Sequence, residues 1–90
     1  MSKIQQFRKK PEVVEVLRIN KNTSTDEIRE FSNAEVKIKR DDATNAVKIC
    51  EVIFPHGKII LFEDDYLVKY SDGNFHSYNG AHFLNDYEAV

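Results

Sequence analysis

Three histidines and one cysteine are the residues of this chain best suited to metal or nucleophilic chemistry: His56, His76, His82 and Cys50. Zinc sites draw their ligands as close pairs, C-x2-C or H-x3–5-H. His76 and His82 fit the second spacing loosely, but no cysteine pair accompanies them, so the pattern predicts no metal site. Cys50 stands among Ile49, Val52 and Ile53 in a β-branched run, far from any helix start. A thiol there is expected to be a small buried hydrophobe and not a nucleophile. Glu63-Asp64-Asp65 gathers three acids that could face a divalent cation. No EF-hand-like spacing follows them, and the expectation is a solvated turn whose carboxylates accept local backbone N–H groups.

Two basic clusters, Arg8-Lys9-Lys10 and Lys37, Lys39 and Arg40, could touch phosphate. Acids interrupt both faces, so these residues read as solvated strand positions. The most distinctive set is aromatic: Tyr66, Tyr70, Phe75, Tyr78, Phe83 and Tyr87. Of the ten aromatic residues, seven lie from Phe62 onward. Tyrosine offers a large contact area, few rotors and a polar tip, which makes it a good interface anchor. The competing reading is that these rings complete a small core.

The composition sets the frame. The chain has 90 residues, of which 41% are hydrophobic and 31% charged, with a net charge of -2. That is the balance of a single globular domain over residues 1–90, not of a disordered segment. The pI of about 5.9 is far below the value above about 9 of a dedicated nucleic-acid binder, so direct nucleic-acid binding is not expected. No apolar run approaches the ~20 residues of a membrane span, and MSKIQQFRKK carries no apolar stretch of the signal-peptide kind. With a single cysteine, no intrachain disulfide forms. The expectation is a cytoplasmic protein without cofactor or metal, and nothing in the sequence excludes a homo-oligomer.

The positioning elements follow from pattern and punctuation. Ile4–Lys10 is polar and mixed, and Pro11 breaks it. Glu12–Ile19 is rich in β-branched residues and predicts a strand with both faces partly apolar, as in a sheet interior. Ser24-Thr25-Asp26-Glu27 matches the capping box S-x-x-E and predicts a short helix over Thr25–Phe31. Alternation predicts a strand at Glu35–Arg40, and the turns that bound them mark out further strands at Ala46–Phe54, Lys58–Phe62, Tyr66–Tyr70 and Phe75–Tyr78. Ser71-Asp72-Gly73-Asn74 is the hairpin turn. His82-Phe83-Leu84 predicts one helical turn, and Tyr87-Glu88-Ala89 a terminal strand. The fold class is α+β: one short helix packed on a curved, mostly antiparallel sheet of about five to six strands. The expected core is Val16, Leu17, Ile28, Phe31, Ile49, Ile53, Ile60, Phe62, Leu67, Val68 and Phe75.

The segment from Asp65 to Phe75, DYLVKYSDGNF, resembles the "GDYIVKG-x-x-GEFY" hairpin of a family of small phage and prophage proteins. Ala81–Glu88 resembles that family's "KPDIF-x-x-TYE" ending, and Phe7–Val16 its "YRKKPVVVEA" opening. The Pro-Gly that precedes the family's Asp-Tyr is Glu63-Asp64 here, and its Cys-Lys-Pro is missing around Tyr78–Ala81. The resemblance implies a phage-accessory context and no reaction. Two functions are then expected. The first is a non-enzymatic phage-encoded binding protein, an inhibitor of a host factor or of a host defence system in the manner of an anti-CRISPR. Its host-protein partner would be met by Asp64, Asp65, Tyr70, His76 and Tyr78, and the carboxylates Asp41, Asp42, Glu63, Asp64 and Asp65 could imitate phosphates. The second is a small-ligand or nucleotide-binding module, with Arg8, Lys10 or Lys69 on phosphate and a tyrosine stacked on a base.

Overall fold

The structure, a computed structural model, describes residues 4–9, 12–86 and 88–89. Among these residues, eight strands and two helices follow one another: β1 (Gln5–Lys9), β2 (Glu12–Ile19), α1 (Thr25–Ser32), β3 (Glu35–Arg40), β4 (Val47–Phe54), β5 (Gly57–Leu61), β6 (Asp65–Lys69), β7 (Phe75–Tyr78), α2 (Gly80–Asp86) and β8 (Glu88–Ala89). The class is α+β, but the expected single sheet is corrected to two. One has five strands in the order β7-β6-β2-β1-β8, the other three in the order β3-β4-β5. Every paired neighbour is antiparallel. Among the described residues, no helix is long and apolar enough to cross a membrane.

The division follows from β2. It is the middle strand of its sheet, and both of its faces are apolar, as the sequence predicts. Val14 and Val16 face one way, with Tyr66 and Val68 of β6 and Phe83 of α2. Leu17 and Ile19 face the other way, with Leu67, Ile28 and Phe31 of α1, and Val36, Cys50, Val52 and Leu61 of the second sheet. One sheet therefore separates two cores. A sheet with two apolar faces needs a layer on each side. The second sheet and α1 cover one face, and α2 covers the other.

The expectation of one helix is corrected for the same reason. The turn foreseen at His82–Leu84 extends to Gly80–Asp86 and carries Phe83, which is fully buried. Its ring stacks on Tyr66 at 4.2 Å. Helix α1 starts as expected: the Ser24 hydroxyl accepts the Glu27 N–H at 3.1 Å, and the Glu27 carboxylate accepts the Ser24 N–H at 3.0 Å. The helix ends at Asn33, which takes the left-handed conformation and donates its N–H to the Arg29 carbonyl.

Four expected core residues do not belong to the core. Ile49, Ile53 and Ile60 are half-buried, and Phe62 is 52% exposed. They alternate with Cys50, Val52 and Leu61, which fill the inner face of the second sheet, so they fall on its outer face. There Ile53 pairs with Glu35, Ile49 with Lys39 and Ile60 with Glu51. Phe75, also expected in the core, is half-buried at its edge. β1 was not expected as a strand. Its polar sequence lacks apolar alternation, and the register with β2, from Gln5↔Val16 to Lys9↔Glu12, makes it one.

Candidate functional site

The five residues expected to meet a partner all lie on or beside the β6–β7 hairpin, but they divide into three groups. Tyr70, His76 and Tyr78 come together. The Tyr70 and Tyr78 hydroxyls are 3.3 Å apart, and the His76 ring meets Tyr70 edge-on at 5.0 Å. His76 is exposed, whereas both tyrosines are half-buried against the Phe83 core. Asp64 is exposed at φ 69° and pairs with Arg18 at 3.2 Å. Asp65 turns back instead, and its carboxylate accepts the Phe62 N–H at 2.9 Å.

Most of the proposed phosphate mimics are committed to turns. Glu63 accepts the N–H of Val47 at 2.7 Å and of Lys21 at 3.3 Å. Asp41 accepts the N–H groups of Ala43 and Thr44, both at 2.9 Å. The backbone donors of Thr44 and then Ala43 hold its carboxyl below the usual carboxylate range. Arg40, a candidate phosphate contact, also serves the fold. Its guanidinium donates to the carbonyls of Thr23, Asn45 and Lys21, which pins the β2–α1 loop to β3. Lys37 and Lys39 are exposed on the outer face of the second sheet. The basic side chains Arg8, Lys9 and Lys10, and Tyr87, lie outside what the structure describes.

The candidate metal ligands are not brought together. Cys50 is buried in the core, and burial pushes its thiol up to about 11. His56 stacks on Phe54, His76 lies on Tyr70, and His82 is exposed on α2. Among the described residues, no group of three His, Cys, Asp or Glu side chains could hold a metal ion.

What the structure does build is a cleft of about 710 Å³ between the C-terminal end of α1, the β4–β5 turn and the β6–β7 hairpin. Phe31, Phe54 and Phe75 form its aromatic side, and Asn33, His56 and Lys69 stand around it. Phe54 lies at the centre of a run of rings. It stacks on Phe75 at 5.4 Å, with planes 27° apart, and on His56 at 5.9 Å, with planes 22° apart. These separations are those of offset rings. The Lys69 ammonium lies 5.8 Å from the Phe75 ring centre. It makes no ion pair among the described residues.

The two ends of the cleft differ in polarity. At the α1 end stand Glu30 and the last helical turn, whose carbonyls carry partial negative charge. At the hairpin end stand Lys69 and the exposed Asn74. Lys58 stands at the rim and reaches out to Glu51 on the outer face at 3.7 Å.

Lys69 was named from sequence as a phosphate contact, but its aromatic companions were not. Phe31, Phe54 and Phe75 come from three separate elements. The sequence signal available was the pair Phe54 and His56, which flank Pro55 at a tight turn. Comparison with known proteins returns no matching family model, no curated relative and no similar solved structure.

Proposed function

We propose that this domain is a binding module that takes a small ligand in the cleft between α1 and the β6–β7 hairpin. One observation carries the reading. A concave site with an aromatic side of three phenylalanines also carries Lys69, which makes no ion pair among the described residues, and the polar side chains of Glu30, Asn33, His56 and Asn74. Concavity with an apolar side and polar groups placed around it is a common form of a ligand site, and the cleft volume falls in the usual range. The ligand class it favours is planar, aromatic and anionic. An NMR titration of the full chain with a panel of small aromatic carboxylates, sulfonates and phosphates tests this. Shifts should cluster at Asn33, His56, Lys69, Asn74 and Phe75. Shifts confined to Tyr78–Asn85, or none, overturn it.

A second reading is favoured by the exposed His76 beside Tyr70 and Tyr78. This is the phage-encoded inhibitor that the hairpin resemblance implies, engaging a host protein through these residues. Its support is the grouping of an exposed imidazole with two half-buried tyrosine rings on one face. Because His76 also lines the cleft, capture of a host protein that survives Lys69→Met but is lost on both His76→Glu and Tyr70→Phe would establish it over the ligand reading.

A further inference from the structure

We propose that the cleft is a nucleoside-phosphate site, with the base against Phe54 and Phe75 and the phosphate on Lys69. This rests on the reading of the cleft as a ligand site and names what it holds.

The inference combines three features that lie side by side. First, the run His56–Phe54–Phe75 is near-parallel, at 22° and 27°, and Phe54 and Phe75 are half-buried. These rings stack on one another with a wide offset, so the area open to a flat heterocycle is the part of each face that the offset leaves uncovered, and every nucleobase has a face that stacks there. Second, the cleft is polarised. A base carries N–H donors at its edge and a phosphate at the far end of its sugar. The acceptor-rich end formed by Glu30 and the last turn of α1 suits the donors, and the Lys69 end suits the anion. A simple aryl acid offers an anion and a face but no donor edge, so it would use only part of the site. Third, Lys69 is held in place. It lies in β6, paired across from Glu15 and Phe75, and its ammonium rests by the Phe75 ring at 5.8 Å. A cation anchored by a strand and a ring loses less freedom on meeting a phosphate than one on a loop.

Base, sugar and phosphate together also match the cleft in size. Its volume of about 710 Å³ leaves room for a mononucleotide in a site of ordinary ligand dimensions. The absence of a Gly-rich phosphate loop fits a monophosphate held by one lysine better than a triphosphate wrapped by backbone N–H groups.

Isothermal titration of the full chain tests this with six probes. They are the monophosphates of adenosine, guanosine, cytidine and uridine, together with adenosine and indole-3-carboxylate. At least one monophosphate should bind. Where the adenosine pair is measurable, the monophosphate should exceed the nucleoside by about tenfold, the worth of one charge-assisted contact. Lys69→Met should remove that advantage and leave the melting temperature near that of the parent, since Lys69 is only half-buried. If indole-3-carboxylate binds and no monophosphate does, the nucleotide assignment falls and the ligand-module reading stands. If none of the probes binds, both fall. If a monophosphate binds as tightly to Lys69→Met as to the parent, the placement of the phosphate is wrong and the proposal is overturned.

Discussion

The rings of Phe31 and Phe75 meet edge to face, with centres 5.7 Å apart and planes 83° apart. This contact joins α1 to the C-terminal hairpin across one side of the cleft, so the site and the stability of the fold share residues. Phe31 is 6% exposed, and its replacement by Ala is expected to cost roughly 3–5 kcal/mol. Phe62, 52% exposed on the outer sheet face, should lose no more than about 0.5 kcal/mol on the same change. Urea unfolding of the two variants checks the pair. Equal midpoints would show that the faces of α1 and β5 were misassigned.

The capping box at Ser24 and Glu27 should carry its usual worth. Both reciprocal hydrogen bonds are present, and Ser24→Ala removes one of them. The expected loss is about 1 kcal/mol, read as a shift in the urea midpoint with an unchanged slope.

Gly80 and Gly73 are constrained for different reasons. A Cβ on Gly80 would lie 2.5 Å from the backbone oxygen of Asp64. Because that oxygen is backbone, the β5–β6 turn must move, and Gly80→Ala should cost roughly 1–3 kcal/mol. A Cβ on Gly73 meets nothing, but its φ of +89° is unfavourable for a side chain. Gly73→Asn should therefore recover part of what Gly73→Ala loses, because Asn tolerates positive φ better than Ala. Gly80→Asn should recover nothing. Thermal melts of the four variants separate clash from conformation.

Cys50 gives a pH prediction. Burial raises its thiol from 9.0 to about 11 in the fold. Above pH 9 the unfolded chain loses this proton while the folded chain keeps it, so the contribution to stability falls as pH rises from 9 towards 11. Below pH 9 both states are protonated and nothing changes. The difference in melting temperature between the parent and Cys50→Ala should be constant up to pH 9 and shrink above it. A difference that does not change would show that the thiol titrates equally in both states. In the folded protein at pH 8, iodoacetamide should leave Cys50 unmodified.

Local structure was legible where chemistry is local. The strand Glu12–Ile19 follows from its β-branched residues, Glu35–Arg40 from alternation, Phe75–Tyr78 from the hairpin turn before it, and the cap at Ser24 from a four-residue motif. The partition into two sheets did not follow, because alternation shows that a strand has two faces and not which layer covers each. Hence Ile49, Ile53, Ile60 and Phe62 looked like core, and only the pairing of the three isoleucines with Lys39, Glu35 and Glu51, and the exposure of Phe62, places them outside. The cleft was illegible for a similar reason: Phe31, Phe54 and Phe75 are distant in sequence and meet only where α1 and the second sheet pack against the first.

The acids of the β5–β6 turn, grouped together in the sequence, should separate in their effect. Asp65 closes the turn by accepting the Phe62 N–H at 2.9 Å, so Asp65→Ala leaves that donor without its partner and should cost about 0.5–1.5 kcal/mol. Asp64 is exposed, and its pair with Arg18 is a surface contact of 3.2 Å with both side chains at least half exposed. Such pairs contribute little. Asp64→Asn keeps a residue tolerant of φ 69° and should change stability by less than about 0.5 kcal/mol. The same distinction applies across the hairpin. Tyr78 packs on Phe83 at 6.0 Å, and Tyr78→Ala should lose roughly 1–2 kcal/mol of stability through that contact. His76 is exposed and should lose almost none. A partner seated on the hairpin is therefore tested with His76→Ala and Asp64→Asn, whose folds stay intact. His76→Ala should speed dissociation, and Asp64→Asn should slow association at low salt, where the Debye length is long. If both variants keep the parent's rates while Lys69→Met loses binding, the partner sits at the cleft and not on the tyrosine face.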